Sequence, residues 1–226
     1  MKRVFVLLLW STLLAGAVFA QYRQRVSMSF GAGVAFPVDP ADLSDNWKTG
    51  YGLLGELEVP IGEGEVSIVG AYHANTFPFD EEEFRSKFVS SGLRPQIISR
   101  ISAPEASFWG LTIGGKVYML RGRTFMRVDI GQFDLTRGVV SVVGPDTTAQ
   151  VDFISKTGTL ISLGAGLVIP VSETFDAVLE ADYNIAKSDQ DESTGYVAYY
   201  GSGGSGEIQR KNTAILNLRA VVRVKF

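Results

Sequence analysis

The sequence of 226 residues contains no cysteine and a single histidine, His73. Without cysteine, a disulfide framework and a zinc site made of thiolates are excluded. With one histidine, a metal site built from imidazoles is disfavoured. The fold must therefore be stabilised by burial and by backbone pairing.

Long apolar runs and strong net charge are also missing. After residue 20, no uninterrupted apolar stretch reaches the length of a membrane-spanning helix, so the chain can cross a membrane only as strands. The formal charge of −3 is too mild to indicate nucleic acid as a partner, and no polybasic run marks a lipid-binding segment.

The N-terminal segment has the pattern of a secretory signal. Lys2 and Arg3 precede an apolar run, and small residues then lead to Ala20. We expect residues 1–20 to be cleaved and residues 21–226 to form a single domain. Loss of Lys2 and Arg3 changes the formal charge from −3 to −5.

Eight segments alternate between apolar residues and small, polar or charged residues. Alternation with a period of two is typical of strands that have two different faces. The segments are about as long as a tilted strand needs to be to cross a bilayer. They are Val26–Phe36, Tyr51–Val59, Val66–Ala74, Trp109–Met119, Met126–Gln132, Thr159–Ile169, Phe175–Tyr183 and Ala214–Phe226.

The connections between these segments alternate in length. The short ones are Pro60–Glu65, Arg121–Thr124 and Pro170–Thr174, and the long ones are Pro37–Gly50, Asn75–Ser107, Phe133–Gly158 and Ala186–Asn212. Outer-membrane barrels have short periplasmic turns and long outer loops. The sequence therefore predicts an all-β, eight-stranded antiparallel up-and-down transmembrane β-barrel with four long outer loops and three short periplasmic turns, located in the cell outer membrane of a Gram-negative envelope.

A soluble, lipocalin-like barrel would have the same alternation but would bury its apolar set. We favour the inverted arrangement because the other set carries charges of both signs and because aromatic residues cluster at strand ends, as in interfacial girdles. The expected girdle residues are Phe36, Tyr51, Tyr72, Trp109 and Tyr183 on the loop side and Phe125, Phe175 and Phe226 on the turn side.

The chain resembles the small outer-membrane β-barrel superfamily that includes opacity proteins and the membrane domain of outer membrane protein A. The resemblance lies in the signal, in Phe30-Gly31-Ala32-Gly33-Val34, in Lys48-Thr49-Gly50-Tyr51-Gly52 and in the last strand, which ends in Phe226. It implies that the barrel-assembly machinery recognises that strand. We further expect contact with outer-membrane lipids and lipopolysaccharide, and a monomer.

The inward face is expected to hold nearly balanced charges: Glu56, Glu58, Asp129, Asp176, Glu180 and Asp182 against Lys116, Arg127, Arg219, Arg223 and Lys225. A two-residue Gly122-Arg123 turn would set Lys116 opposite Asp129 and Tyr118 opposite Arg127. Near the C-terminus, one register pairs Glu180 with Arg219 and Asp176 with Arg223, whereas a shift of two residues would place Asp182 beside Arg219. Cross-strand ion pairs of this kind favour a closed core.

His73 has the inward parity near the outer rim. With a serine and a carboxylate nearby, it could serve a lipid A-modifying acyl-transferase or deacylase. The sequence does not show whether Ser107 or Glu56 approaches His73. We prefer the interpretation that His73 is a hydrogen-bonded lining residue.

The long connections should carry what is specific to this chain. Asp80 can cap a helix whose Phe84 and Phe88 share a face, and the apolar Ile97, Ile98 and Ile101 follow, so this loop is expected to fold over the rim. Segments 139–143 and 150–154 suggest a hairpin that projects beyond the membrane. Acidic runs and the Gly201–Gly206 segment are interpreted as solvated loop. Tyr196, Tyr199 and Tyr200 lie in the last loop.

Taken together, the patterns favour an integral outer-membrane barrel with a structural or surface-interaction role and an interior closed by salt bridges. We expect no catalytic, metal or cofactor site. The long loops are where an extracellular ligand would bind. A narrow passive porin-like channel is the first alternative, and a lipid A-modifying enzyme is the second.

Overall fold

The computed structural model describes residues 25–39, 44, 47–62, 65–88, 105–142, 149–188 and 212–226, with the backbone alone at 84, 87–88, 137–142 and 149–154. The strands are β1 Ser27–Asp39, β2 Gly50–Ile61, β3 Val66–Phe77, β4 Ala106–Met119, β5 Thr124–Val142, β6 Ala149–Pro170, β7 Phe175–Ser188 and β8 Thr213–Lys225. Helix α1, Glu81–Phe88, follows β3. Each of the eight predicted segments lies in one of these strands, except that Val26 precedes β1 and Phe226 follows β8. The predicted signal lies outside the described residues.

The strands form a closed antiparallel barrel in which each pairs with its neighbours in sequence and β8 pairs with β1. The predicted fold class is therefore confirmed. The register is staggered, since the circuit of paired residues that starts at Ser27 and passes through Glu58 and Ile215 returns to β1 at Pro37. Such stagger tilts the strands, and in an eight-stranded barrel the interior is then just wide enough for side chains to fill.

The start of β1 and the end of β8 lie at the same end of the barrel as the short connections, which are residues 62–65, 120–123 and 171–174. The last of them is tied to the C-terminus, because the backbone N–H of Lys225 donates to the carbonyl of Thr174 at 2.8 Å. The N–H of Phe226 donates to the carbonyl of Val26 at 2.9 Å. The final residues thus close the barrel at this end, the turn end.

The outward face is apolar, as predicted. Ile113 is 62% exposed and Phe30 59% exposed, and the other exposed residues on this face are mostly leucine, valine, isoleucine, methionine and aromatic residues. Soluble monomers rarely expose so continuous an apolar surface. Charged residues of the strands point instead to the interior, which is the arrangement of a lipid-facing barrel.

Of the aromatic residues predicted for the two girdles, all but one face outward. The outward set is Phe36, Tyr51, Tyr72, Trp109, Tyr183, Phe175 and Phe226. The prediction for Phe125 is wrong. Phe125 pairs with Tyr118 in the register, has the inward parity and is buried against Gly166, where an added Cβ would lie 2.3 Å from its ring.

Strands β5 and β6 are longer than predicted. Their pairing continues from Gln132 opposite Thr159 to Val142 opposite Ala149. The structure therefore supports the predicted projecting hairpin, although its tip at residues 143–148 is outside the described residues. None of the helices in the described part of the chain is long and apolar enough to span a membrane.

Candidate functional site

The barrel interior holds the side chains that carry chemistry, and they lie in three layers along the axis. An ionic layer fills the turn half, and all eleven charged residues predicted for the interior are buried there. It consists of Glu56, Glu58, Lys116, Arg127, Asp129, Asp176, Glu180, Asp182, Arg219, Arg223 and Lys225, with Tyr118 among them. A twelfth charged residue, Lys156, is buried near the outer end of β6. It was not predicted to be in the interior, because it lay in a predicted loop.

Part of the ionic layer crosses the lumen between strands that are not neighbours. Lys116 on β4 forms an ion pair with Glu56 on β2, and its Nζ lies 3.1 Å from Glu58 Oε2. The Tyr118 hydroxyl donates to Glu58 at 2.7 Å, and Arg223 Nη1 in turn donates to that hydroxyl oxygen. These contacts therefore span the lumen.

Arg127 is the centre of a second group. Its Nη1 lies 2.6 Å from Glu56 Oε2 and 3.0 Å from Glu180 Oε1, and its Nε lies 2.8 Å from Asp129 Oδ2. One guanidinium therefore holds carboxylates from β2, β5 and β7. A buried charge is costly unless it is paired, and here the pairing is shared across the barrel.

The predicted register between β7 and β8 is confirmed. Asp176 is opposite Arg223, and Glu180 is opposite Arg219. Arg223 Nε donates to Asp176 Oδ2 at 2.9 Å, while Lys225 Nζ donates to Asp176 Oδ1 at 2.9 Å. The Arg219 side chain, however, reaches diagonally and forms its ion pair with Asp182.

The predicted register between β4 and β5 is wrong by two residues. Lys116 is opposite Arg127, Tyr118 is opposite Phe125, and Asp129 is opposite Gly114. The turn has four residues, 120–123, because Met119 pairs with Thr124. The carboxylate partners of Lys116 consequently come from across the lumen and not from the neighbouring strand.

A layer of uncharged polar side chains lies next to the ionic layer, towards the loops. This polar layer consists of His73, Asn75, Thr112, Ser162, Asn184 and Asn217, all buried. Asn217 Nδ2 donates to Asp182 Oδ2 at 2.9 Å, and Asn184 Nδ2 donates to the same oxygen. Asp182 thus joins the polar layer to the ionic layer.

His73 is a lining residue of this polar layer. Its Nε2 lies 3.3 Å from the Thr112 hydroxyl oxygen. Ser107 is on the exposed outward face of β4, and Glu56 is paired with Lys116 and Arg127. Neither residue considered as a catalytic partner is brought to His73. Among the described residues, no group of three histidine or carboxylate side chains is placed to hold a metal ion.

A cluster of buried apolar side chains, the apolar plug, occupies the loop half of the interior. Its members are Ala35, Trp47, Phe77, Ala106, Phe108, Phe133, Leu135, Leu160, Ala186 and Ile215. The rings of Phe108 and Phe133 stack with centroids 5.8 Å apart, and Leu160 is fully buried. The plug was missed because Phe133 lay in a predicted loop and Phe108 lay just before the predicted start of its strand at Trp109. Large apolar residues on the otherwise polar parity, such as Ile215, were the available signal.

Two segments outside the strands cross the mouth next to the plug. Trp47 pairs with Phe79 by a single β-bridge, and their rings meet edge to face at 5.5 Å. The Lys48 N–H donates to the Pro78 carbonyl at 2.8 Å, and Lys48 Nζ lies 3.4 Å from Asp80 Oδ1. A β-bridge, a backbone hydrogen bond and an ion pair thus join the connection before β2 to the connection after β3.

Asp80 caps helix α1, as predicted, because its Oδ1 accepts from the backbone N–H of Glu83 at 3.1 Å. That hydrogen bond holds the pKa of the Asp80 carboxyl below its ordinary value, and the contact with Lys48 acts in the same direction. Phe84, Phe88 and the isoleucines that follow them were predicted to fold this loop over the rim. Their side chains lie outside the described part of the structure.

No protein family matches the sequence, and no curated protein matches it. The fold is similar to that of Ail, the attachment invasion locus protein of Yersinia pestis, with a TM-score of 0.51 and 12% identity over 88% of this chain and 99% of Ail. It is also similar to Neisserial surface protein A, with a TM-score of 0.49 and 13% identity over 89% of this chain and 97% of that protein.

At these identities, the likeness is one of fold. The fold of Ail agrees with the small-barrel resemblance found in the sequence. The exposed apolar belt on the outward face of the strands is that of a lipid-facing barrel, in agreement with the predicted outer-membrane location.

Proposed function

We propose that this chain is an integral outer-membrane barrel with a structural or surface-interaction role and a closed interior. The observation that carries the proposal is that the lumen is filled at both halves: by ion pairs that cross it in the turn half and by the apolar plug in the loop half. A filled lumen leaves the loop end as the part of the molecule that can meet other molecules.

The β5–β6 hairpin supports a role at the surface. The pairing of β4 with β5 begins at Ser107 opposite Thr136, and that of β6 with β7 begins at Gly158 opposite Ser188. Beyond these pairs, β5 and β6 continue as a two-stranded extension to residues 142 and 149. Such an extension places backbone outside the membrane, where an extracellular ligand could bind.

The remaining assignments are part of the same proposal. Residues 1–20 are a cleaved signal, and residues 21–226 are one domain that acts as a monomer. The belt contacts outer-membrane lipids and lipopolysaccharide. The last strand, paired on both sides and ending in Phe226, is recognised by the barrel-assembly machinery. The chain has no catalytic activity, a proposal supported by the separation of His73 from Ser107 and Glu56.

Conductance tests the closed interior. Refolded protein in planar lipid bilayers should give no stable current steps, because ion pairs and apolar side chains fill the lumen. Regular steps of a single size would contradict closure and favour the narrow passive channel.

Cell-surface binding tests the interaction role. Bacteria that display the wild-type chain should bind host cells or extracellular matrix better than bacteria that display a variant in which residues 139–152 are replaced by a short turn. Equal binding by the two, with equal amounts of folded barrel in the membrane, would argue against this hairpin as the interaction surface.

A further inference from the structure

The polar layer contains buried hydrogen-bonding atoms that have no partner among the described residues. These atoms are His73 Nδ1, Asn75 Oδ1 and Nδ2, Ser162 Oγ, Asn184 Oδ1 and Asn217 Oδ1. All five side chains are nine-tenths or more buried. An unpaired polar group in a protein interior is costly, and native proteins rarely leave several together.

These atoms belong to one level of the barrel. An added Cβ at Gly52 would lie 2.5 Å from Asn75 Oδ1, 3.1 Å from Asn217 Oδ1 and 3.4 Å from Arg219 Nε. Side chains from β3 and β8 therefore converge on the bare backbone of β2. Gly110 on β4 and Gly131 on β5 have the same inward parity as the polar layer. Neither position admits a side chain, because an added Cβ would clash with the Leu111 carbonyl at Gly131 and would lie 2.5 Å from the Leu160 side chain at Gly110.

The unpaired atoms of the polar layer include both donors and acceptors, which restricts the kind of ligand that could bind there. A cation at this level would face Arg219, whose Nε and Nη2 have no described hydrogen-bond partner, and an anion would face the Asp182 carboxylate. Both the amide oxygen and the amide nitrogen of Asn75 are without a partner. A flip of the amide group would therefore still leave one donor and one acceptor to be satisfied. The ligand must be neutral, small, and able both to donate and to accept.

We propose that the polar layer is a sealed binding site for a small cluster of water molecules. Buried water typically makes about three hydrogen bonds to polar groups that would otherwise be unsatisfied. The apolar plug separates this site from the outside, and the ionic layer separates it from the turn end. The proposal rests on the closed interior of the proposed function and adds a specific occupant to it.

Water contact is tested on the unaltered chain by nuclear magnetic resonance in lipid nanodiscs. Cross-peaks of long-lived water are expected at the side-chain amide protons of Asn75 and Asn217. None is expected at the backbone amides of Phe108 and Phe133, which serve as the matched control. Assigned Asn75 and Asn217 amides without a water cross-peak would overturn the proposal.

The seal is tested by cysteine labelling, for which a chain without cysteine is a clean background. Ser162→Cys places a thiol in the polar layer, and Ser155→Cys places one at the exposed rim. A charged, membrane-impermeant thiosulfonate should label S155C and leave S162C unlabelled. With Phe108→Ala and Phe133→Ala added, S162C should be labelled within the time that labels S155C.

Two results would overturn the seal: labelling of S162C while the plug is intact, or no labelling of S162C after plug removal in a barrel shown to be folded. The water cross-peaks need no substitution, so they decide the matter if the plug variant does not fold. Current steps from the wild-type chain would contradict the closed interior of the proposed function. Absence of the water cross-peaks in a non-conducting barrel would contradict only the water site.

Discussion

Arg127 has more carboxylate partners than any other cation described in the barrel interior. It contacts Glu56, Asp129 and Glu180 from inside the barrel, where its own side chain is buried. Breaking a buried pair by removing one partner is more harmful than the net value of the pair suggests, because the remaining charges stay buried. At the scale of the residue, stability should depend strongly on this guanidinium.

Arg127→Met should lower the free energy of unfolding by about 3–5 kcal/mol, because three carboxylates lose a shared partner. Urea unfolding of the refolded protein in detergent micelles, followed by tryptophan fluorescence, measures the change. Arg123→Met, at an exposed turn position, is the matched control and should lie within about 0.5 kcal/mol of wild type. Similar curves for the two variants would refute the central role of Arg127.

Asp80 provides a pH-dependent contact outside the membrane. Since its folded pKa is lowered, the cap contributes stability above the ordinary aspartate pKa of about 3.9 and loses it as the pH falls through the folded value. Hydrogen exchange at the Glu83 amide should therefore lose protection on acidification. Asp80→Ala should lose about 1 kcal/mol of local protection at neutral pH and should show no such dependence. An unchanged pH profile in Asp80→Ala would show that another group is responsible.

Residue parity could be predicted from the sequence, but side-chain partners could not. Alternation placed Glu56, Arg127 and Asp182 inside, which the structure confirms. Long side chains then form ion pairs across the lumen. The distances between residues on opposite strands depend on the closure and stagger of the whole barrel. The directly opposed Asp176–Arg223 pair was predictable because it requires only local register.

At the scale of the element, the turn between β4 and β5 explains the main error of the sequence prediction. Its central residues Arg121 and Gly122 both have positive φ, 60° and 78°, and Arg123 N–H donates to the Leu120 carbonyl at 3.4 Å. This is the pattern of a type I′ turn. Leu120 also has positive φ, 49°. A leucine and an arginine give no sequence signal for that conformation, so the glycine was placed at the wrong turn position.

Arg121→Gly should raise the free energy of unfolding by about 1 kcal/mol, since a left-handed conformation costs a non-glycine residue roughly 1–2 kcal/mol. Arg123→Gly, two residues further along the turn and without positive φ, should instead cost about 0.5–1 kcal/mol. Urea unfolding in micelles compares the two. Stabilisation by both substitutions, or by neither, would contradict the assigned turn geometry.

The hairpin of β5 and β6 was predicted in two pieces, as short membrane strands and as a separate loop hairpin. Continuous pairing from Thr124 opposite Leu167 to Val142 opposite Ala149 joins them. Small residues such as Gly138 and Gly158 interrupt the alternation between the pieces, so the sequence pattern showed two strands where the backbone forms one.

At the scale of the whole molecule, the barrel is inverted relative to a soluble protein. Ile113→Lys, in the apolar belt, should cost about 2–4 kcal/mol, because a lysine near the bilayer midplane is poorly solvated. Val171→Lys, equally exposed but in a turn, should cost about 0–1 kcal/mol. Unfolding from lipid vesicles measures both. Equal tolerance of the two lysines would argue that the belt does not face lipid.

Closure of the barrel in a membrane-like environment is the central claim. The most direct test refolds residues 21–226 in detergent and compares boiled with unboiled samples by denaturing gel electrophoresis, alongside circular dichroism. A shift in mobility together with a β-rich spectrum is the predicted result. A β-rich protein that shows no shift and stays soluble without detergent would contradict the account.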